Sequence, residues 1–470
     1  MSYIQGIPRD QIVLYPERLA DVVAADDPVH LIDAFCRSVP FQKLGFTHAV
    51  AAKTGRPSYE PAQMLSLLLW GFMNGVTSSR QLERATKRSV DVMWLIERLQ
   101  PDFKTISEFR RKNAEAIPAL LQECTTWMQQ QELVSGELVA IDGSKFRASN
   151  GRDRNFTEKT LAAKRARNEA RIQAYLEELE RRDAEEEQQQ QSTGLSADQI
   201  REAIQKLQQR KDFYDGVVKL MEERSATQVS LTDPDSRSMK TNDGINVCYN
   251  AQIVVDSKHS LIVAQAVTNE VNDEKQLHTM AKAAQQALGV DTLNVVADAG
   301  YVNSTEIAKC EADGITTYLP ALKPQRRDGM FSKADFRYDA SNDTYTCPAG
   351  QVLTHSTQGV DKGKLIHYYR TTACNECPLR SQCTSSKDGR RVARRDDEII
   401  RNVAAERGRE HLDIMKKRKA MVEHPFGTIK RIINRGYFLL RGLKKVSGEF
   451  ALAALAYNFK RILTIQPLTA

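Results

Sequence analysis

Five short apolar segments, at 137–141, 246–255, 261–267, 293–297 and 316–319, limit what this chain can fold into. Each reads as a strand, and a polar turn, Asp256-Ser-Lys-His-Ser260, joins the second to the third. A helical pattern at about 274–288 separates the third from the fourth, and another short helix separates the fourth from the fifth. Strands first, then strands alternating with helices, argue an α/β protein with a mixed sheet and helices packed on it.

The flanks read differently. At 470 residues the chain has room for two to four units of roughly 100 to 200 residues each. Residues 1–135 look all-helical. Pro61 opens an apolar run from Met64 to Trp70, and capping boxes at Ser78 with Gln81 and at Thr105 with Glu108 start further helices. Basic residues Arg80, Arg84, Lys87 and Arg88, then Arg110 and Arg111, give this part a basic edge. Residues 151–225 are rich in Ala, Arg, Glu and Gln and carry two apolar stripes. A Gln run and Ser192-Thr193-Gly194 interrupt them, and Ser196 can cap the second arm with Gln199. The pattern is an antiparallel helical hairpin inserted between strands, because the heptads are too few and too broken for a long coiled coil. The expected division is 1–135 helical, 136–150 and 226–335 sheet, 151–225 hairpin, 336–394 Cys-rich, and 395–470 basic and helical.

A composition of 41% hydrophobic and 27% charged residues excludes a wholly disordered or fibrous chain. The longest apolar stretches, 64–73 and 450–457, fall short of the roughly 18 residues that a spanning helix needs, so no membrane association is expected. The first ten residues lack the basic leader and apolar core of a signal peptide, which predicts a cytoplasmic protein. Eight cysteines are too few for a secreted disulfide scaffold. The net charge of +7 is unevenly spread: from Arg394 to Lys445 there are 15 Lys or Arg against 7 Asp or Glu. Such a segment suits a polyanionic partner, although a solvated helix face has the same composition.

Two acids follow apolar strands, Asp142 after Leu-Val-Ala-Ile and Asp298 after Asn-Val-Val-Ala. Ligand sites in such sheets gather at strand ends, so neighbouring strands can bring the two together. An Asp-Gly pair after a strand also reads as a hairpin turn, and for Asp142 that reading stays open. Asp298-Ala-Gly-Tyr leads into a helical pattern and is not explained that way. Asp273, after the third strand, reads either as a helper of the site or as a helix cap.

Together with Glu423-x-x-Phe-Gly-x-x-Lys-Arg, the motifs Asp142-Gly-Ser-Lys and Asp298-Ala-Gly-Tyr resemble the DDE transposases of bacterial insertion sequences, in particular the IS eleven-eighty-two type. The resemblance extends to Gly55-Arg-Pro57, Pro101-Asp-Phe-Lys-Thr-Ile106 and Tyr249-Asn-Ala-Gln252, and so covers most of the chain in order. It implies an RNase H-like catalytic domain in which Asp142, Asp298 and Glu423 hold two Mg²⁺ or Mn²⁺ ions. It also implies double-stranded DNA as partner, both the element's terminal inverted repeats and the target, with the protein nucleoid-associated and acting as a dimer on DNA. Breaking a phosphodiester needs an activated oxygen nucleophile, charge relief at the phosphoryl oxygens and a stabilised leaving alkoxide. Two ions about 4 Å apart can supply all three, and Mg²⁺ prefers hard oxygen ligands such as carboxylates. Around the glutamate the family carries Tyr and Arg seven and four residues earlier and Lys seven later. Here those positions hold Lys416, Lys419 and Lys430. Lys419 keeps a positive charge without a bidentate guanidinium. Lys430 is expected on the face of Glu423 if the helix survives Pro425 and Gly427. Lys416, Lys419, Arg431, Arg435 and Arg441, with the four N-terminal basic residues, are the expected DNA contacts, and Phe438 is expected in the core.

Four thiols cluster late in the chain: Cys347, then Cys374-x-x-Cys377, then Cys383. Tetrahedral Zn²⁺ takes four thiolates, and Cys-x-x-Cys presents two from one turn. Cys347 has no such neighbour, so unpaired thiols or a redox pair remain the alternatives, with His355 and His367 as substitute ligands. The expected function is transposition, by metal-dependent cleavage at element ends and transfer of the 3′-hydroxyl to target DNA. A nuclease of the same fold, or a DNA-binding protein with a degenerate centre, are the competing readings.

Overall fold

The computed structural model describes residues 18–50, 57–187, 196–322, 329–361 and 363–467. Gly55 and Arg56, the Gln run and Ser192-Thr193-Gly194 lie outside them. A six-stranded mixed sheet forms the centre. Its strands are β1 (Leu138–Arg147), β2 (Arg237–Thr241), β3 (Gly244–Asp256), β4 (Ile262–Thr268), β5 (Leu293–Val296) and β6 (Ile315–Tyr318). β3 runs antiparallel to β1 from Val139 opposite Asp256 to Arg147 opposite Cys248, and its other edge takes β4 and β2. On the far side of β1, β5 and β6 follow in parallel. β3 is buried from Asn246 onward, as a strand covered on both faces must be. All five apolar segments are therefore strands, within a mixed α/β fold.

One expectation changes here. Asp142 is not at a strand end, because β1 continues through Gly143 to Arg147. Its partner β3 extends far enough to pair with Ser144, Lys145 and Phe146 through Ala251, Asn250 and Tyr249. The Asp-Gly pair is therefore no hairpin turn.

Two helices, Leu277–Leu288 and Ser304–Ala312, precede β5 and β6. The last helix, Leu443–Ile465, packs across the edge strand β4. There the Asn458 side chain accepts from Ile262 N (2.9 Å) and donates to Ile262 O (2.8 Å), so that buried edge groups are paired. The other flank of this helix receives the N-terminal helices, with Phe35 against Phe459 at 5.2 Å between ring centroids. One continuous hydrophobic cluster joins N-terminal helices, sheet and last helix. The expected boxes at Ser78 and Thr105 do not form. Ser78 makes no side-chain cap bond, and the second helix starts at Phe103 with Asp102 accepting from Thr105 N. The Ser196–Gln199 box does form.

The hairpin arms, Glu158–Glu187 and Ala197–Glu223, run antiparallel, tied by Arg165–Asp215 and Lys211–Glu169 pairs at 2.9 Å. A small cluster of Phe156, Leu161, Val217, Met221 and Val229 closes their base. The Cys-rich segment forms its own five-stranded antiparallel sheet between Arg337 and Arg395, with a core of Phe336, Tyr345, Leu353, Tyr369 and Val392. Among the described residues no helix is long and apolar enough to cross a membrane.

Helix Glu398–Glu410 lies so close to the end of β6 that a Cβ on Gly408 would stand 2.4 Å from the Leu319 carbonyl oxygen. Gly408→Ala is expected to destabilise the protein by about 1–3 kcal/mol through overpacking, read as a lower melting temperature. An unchanged melt would mean that the helix is not seated this tightly.

Candidate active site

The site grows from the place where two central strands part. β1 and β5 are paired only up to Ala140 opposite Val296, whereas β1 stays paired with β3 to Arg147. Asp142 follows the last β1–β5 pair by two residues on one strand, and Asp298 follows it by two on the other. Asp142 accepts from its neighbour Gly143 N through Oδ1 (2.8 Å), and Arg418 Nη1 lies 3.6 Å from Oδ2. The Asp142 carboxyl is held up at about 6: burial raises it most, Gly143 and Arg418 lower it, and the charges of Asp298 and Asp273 raise it. Asp298 caps the one-turn helix Ala299–Tyr301, Oδ1 accepting from Gly300 N at 2.8 Å. Tyr301 is fully buried and donates to Gln252 Oε1. Burial, then the charges of Asp273, Asp142 and Asp298, hold its phenol well above the usual value.

The third acid sits on helix Leu412–Ile432, which runs unbroken through Pro425 and Gly427. Pro425 withholds one backbone N–H, and packing carries the helix past it. Val422, Pro425, Phe426 and Ile429 are buried, and Phe426 faces Phe146 of β1 at 6.3 Å. The same stripe points Arg418 at Asp142. Glu423 lies off the stripe. It is 63% exposed and pairs with Lys419 at 3.5 Å. Among the described residues no three His, Cys, Asp or Glu side chains are gathered into a group that could hold a metal ion, and this applies to Asp142, Asp273, Asp298 and Glu423 and to the four clustered cysteines alike.

Lys430 Nζ stands 5.7 Å from the centre of the Phe146 ring. It lines a cavity with Gly143, Lys145, Arg147, Lys240 and Arg435 that opens beside Asp142 on β1. Arg435 is in the left-handed region, φ 57°, in the turn after the helix. Arg441 donates to Ser149 O (3.0 Å), and Phe438 is in the core as expected. Lys416 and Lys419 are exposed. Arg431 lines a separate basic cavity with His424, Lys460 and Arg461.

In the N-terminal part Arg84, Lys87 and Arg88 are exposed, Lys87 pairing with Glu83, and Arg80 lies over the Phe103 ring at 5.0 Å. Arg110 does not belong to that edge. It is buried and donates to Thr77 O (2.9 Å) and Ser79 Oγ (2.8 Å). Cys347, Cys374, Cys377 and Cys383 line one pocket, and His355 and His367 are not part of its lining.

Arg418 is the residue that sequence reasoning missed. It sits in a run of four basic residues, Lys416 to Lys419, which looks uniformly solvated. The apolar positions Val422, Pro425 and Ile429 put Arg418 on the buried stripe, and that spacing was the available signal.

Two segments of the chain match protein-family models. Residues 346–463 match a family described as Transposase DDE domain, and residues 17–112 match one described as Transposase domain (DUF772). The first span takes in the four clustered cysteines, the last three strands of the Cys-rich sheet, Glu423 and Lys430; Asp142 and Asp298 lie between the two spans. No curated protein matches the chain.

Arg110→Ala is expected to cost about 2 kcal/mol or more, because it removes two charge-assisted bonds and leaves Thr77 O and Ser79 Oγ without their donor. Arg84→Ala should leave the melting temperature unchanged. Equal melts for the two variants would contradict the buried placement of Arg110.

Proposed function

The chain is a DDE transposase acting on DNA, and from that premise we propose that Asp142, Asp298 and Glu423 are its three catalytic carboxylates, in an RNase H-like domain of the IS eleven-eighty-two type. The observation that supports this most is the placement of Asp142 and Asp298 where β1 and β5 part, with the glutamate helix packed over β1. The order β4-β3-β1-β5-β6, with β5 and β6 parallel to β1 and β3 antiparallel to it, also agrees with an RNase H-like sheet.

The donor set fits hard divalent cations such as Mg²⁺ or Mn²⁺. It consists of carboxylate oxygens, and Asp142 stands in a field of like charges that the Gly143 amide and Arg418 offset only in part. Cations held by Asp142, Asp298 and Glu423 would relieve charge on the phosphoryl oxygens and activate the attacking oxygen. Glu423 is exposed, and its pair with Lys419 contributes little, so its side chain can turn toward the aspartates at low cost. Lys430, with Lys145, Lys240 and Arg435, binds the phosphates that flank the reacting bond. The exposed Arg84, Lys87 and Arg88 contact the element's terminal repeats, and the active assembly is a dimer on DNA.

We infer that the Cys-rich sheet takes a structural zinc ion, whose binding would draw its four thiols together into a group they do not form alone. Its four thiols line one pocket, and at Gly389 (φ 80°) a Cβ would stand 2.7 Å from Cys374 Cβ, so the chain closes tightly around that thiol. Burial raises the Cys383 thiol; Arg390 lowers it, and the other three cysteines raise it again, which a bound cation would offset. A sheet with so small a core gains most from such a staple.

Asp142→Asn, Asp298→Asn and Glu423→Gln are each expected to abolish cleavage of end DNA and to keep end binding, since phosphate contacts supply most affinity. Joining of a pre-cleaved end to plasmid DNA in Mg²⁺ should need its 3′-hydroxyl, fail with a 3′-deoxy end, and fall tenfold to a thousandfold, an order-of-magnitude range, in Lys430→Ala. An active Asp298→Asn would remove that residue from the centre. Cleavage without joining, with the end still bound, would favour a nuclease.

Protein purified without chelator should hold about one zinc per chain, and Cys377→Ser should lose it, melting lower before activity falls. Metal analysis that finds no zinc in the native protein would leave four unligated thiols.

A further inference from the structure

Asp273 has a place that its sequence context does not explain. It precedes helix Leu277–Leu288, yet its side chain does not cap that helix. The cap residue is Gln276, and Asp273 contributes only its backbone carbonyl, which accepts from Gln276 N at 3.0 Å. The carboxylate turns back to the sheet. Oδ1 accepts from Gln252 Nε2 and Asn250 Nδ2, both at 2.7 Å, and Lys145 Nζ stands 3.5 Å away. Gln252 is itself fixed by Tyr301, whose hydroxyl donates to Oε1. Asn250 and Gln252 come from β3 and Lys145 from β1, so two strands hold one carboxylate oxygen, and Tyr301 from the turn after β5 steadies Gln252.

The other oxygen is not used. No hydrogen bond among the described residues engages Asp273 Oδ2, and the side chain keeps 23% of its exposure. Two glycines make the approach possible. A Cβ on Gly143, next to Asp142, would lie 2.9 Å from Asp273 Oδ1. A Cβ on Gly300 would lie 3.0 Å from Asp298 Oδ1 and 3.8 Å from Asp273 Oδ2. Asp273 therefore stands between the residue that follows Asp142 and the turn that carries Asp298. Asp298 has the same division of labour, with Oδ1 taken by Gly300 N and Oδ2 without a hydrogen bond among the described residues.

The tie to Asn250, Gln252 and Lys145 occupies one oxygen only. The carboxylate is placed among like charges, which is unfavourable unless a cation is shared. We propose that Asp273 is a fourth carboxylate of the catalytic centre, held through Oδ1 by Gln252, Asn250 and Lys145 and offering Oδ2, on the side of Asp298, to a divalent cation. The proposal rests on the transposase centre at Asp142 and Asp298 described above.

The test is Mn²⁺ binding to the full-length chain by calorimetry without DNA, alongside melting curves without Mn²⁺. Asp273→Asn is expected to weaken Mn²⁺ at least tenfold, as Asp298→Asn does, and to melt close to wild type, because an asparagine oxygen still accepts the two amide bonds. A folded Asp273→Asn with wild-type Mn²⁺ affinity overturns the proposal and makes Asp273 a purely structural tie. Should that variant fail to fold, Asp273→Glu keeps the charge and displaces the oxygens by one methylene. Its Mn²⁺ affinity should fall at least threefold, and wild-type affinity there would overturn the proposal equally. If Asp298→Asn and Asp142→Asn lose Mn²⁺ and Asp273→Asn does not, only this inference fails. If the wild-type chain binds no Mn²⁺, the centre itself is wrongly placed and the inference falls with it.

Discussion

The parting of β1 from β5 is the constraint on which the site depends. Parallel pairing between them stops at Ala140 and Val296, while antiparallel pairing of β1 with β3 runs on to Arg147. A strand paired on one side and released on the other opens a cleft without losing its rigidity. Asp142 lies in that released stretch, on a backbone that β3 still holds in register. Asp298 leaves β5 at the same level, in a one-turn helix that ties its carboxylate to Gly300 N. Had β5 continued alongside β1, the two carboxylates would face a closed sheet.

Concentrating carboxylates in such a place carries an electrostatic cost, and the surroundings offset it only in part. Arg418 reaches Asp142, and Lys145 reaches Asp273. Burial lowers the Lys145 ammonium, with Asp273 acting in the other direction, so the lysine's charge is itself maintained by its partner. On the far side of Gly143 the balance reverses, where Lys145, Arg147, Lys240, Lys430 and Arg435 surround one cavity with Asp243 as its acid. A negative centre beside a positive trough is the arrangement that binds a phosphodiester chain and concentrates cations at one of its bonds.

The last helix joins this centre to the rest of the molecule. Asn458 seals the edge of β4 through both backbone groups of Ile262, and the opposite flank carries the N-terminal helices in the same continuous core. Glu449 of that helix is buried and accepts from Leu439 N and Leu440 N, which holds the turn bearing Arg435 and Arg441. Burial raises the Glu449 carboxyl, while those two backbone donors and the charge of Arg110 pull it down. The N-terminal helices thereby bear on the face that carries Asp142 and Asp298 through packing rather than through a linker.

Much of the architecture was legible along the chain, because strand and helix formation depend on local apolar periodicity. The five strand segments, the helical hairpin with its Ser196–Gln199 box and the burial of Phe438 all follow from residue spacing. The candidate acids Asp142 and Asp298 were also legible, since each directly follows an apolar strand pattern. Pairing between distant strands has no such local signature. Whether β1 stopped at Asp142 or ran on to Arg147 depended on the reach of β3, roughly a hundred residues away. Side-chain direction was equally out of reach. Arg110 and Arg418 look like their basic neighbours in sequence, yet one is buried under Thr77 and the other turned to Asp142, because each falls on the packed face of its helix. Asp273 reads locally either as a cap or as a helper of the site, and only the folded sheet brings Asn250, Gln252 and Lys145 to its oxygen. Spacing along the chain determined which segments become strands and helices; the joining of β1 to β3 and its release from β5 decided which charges meet.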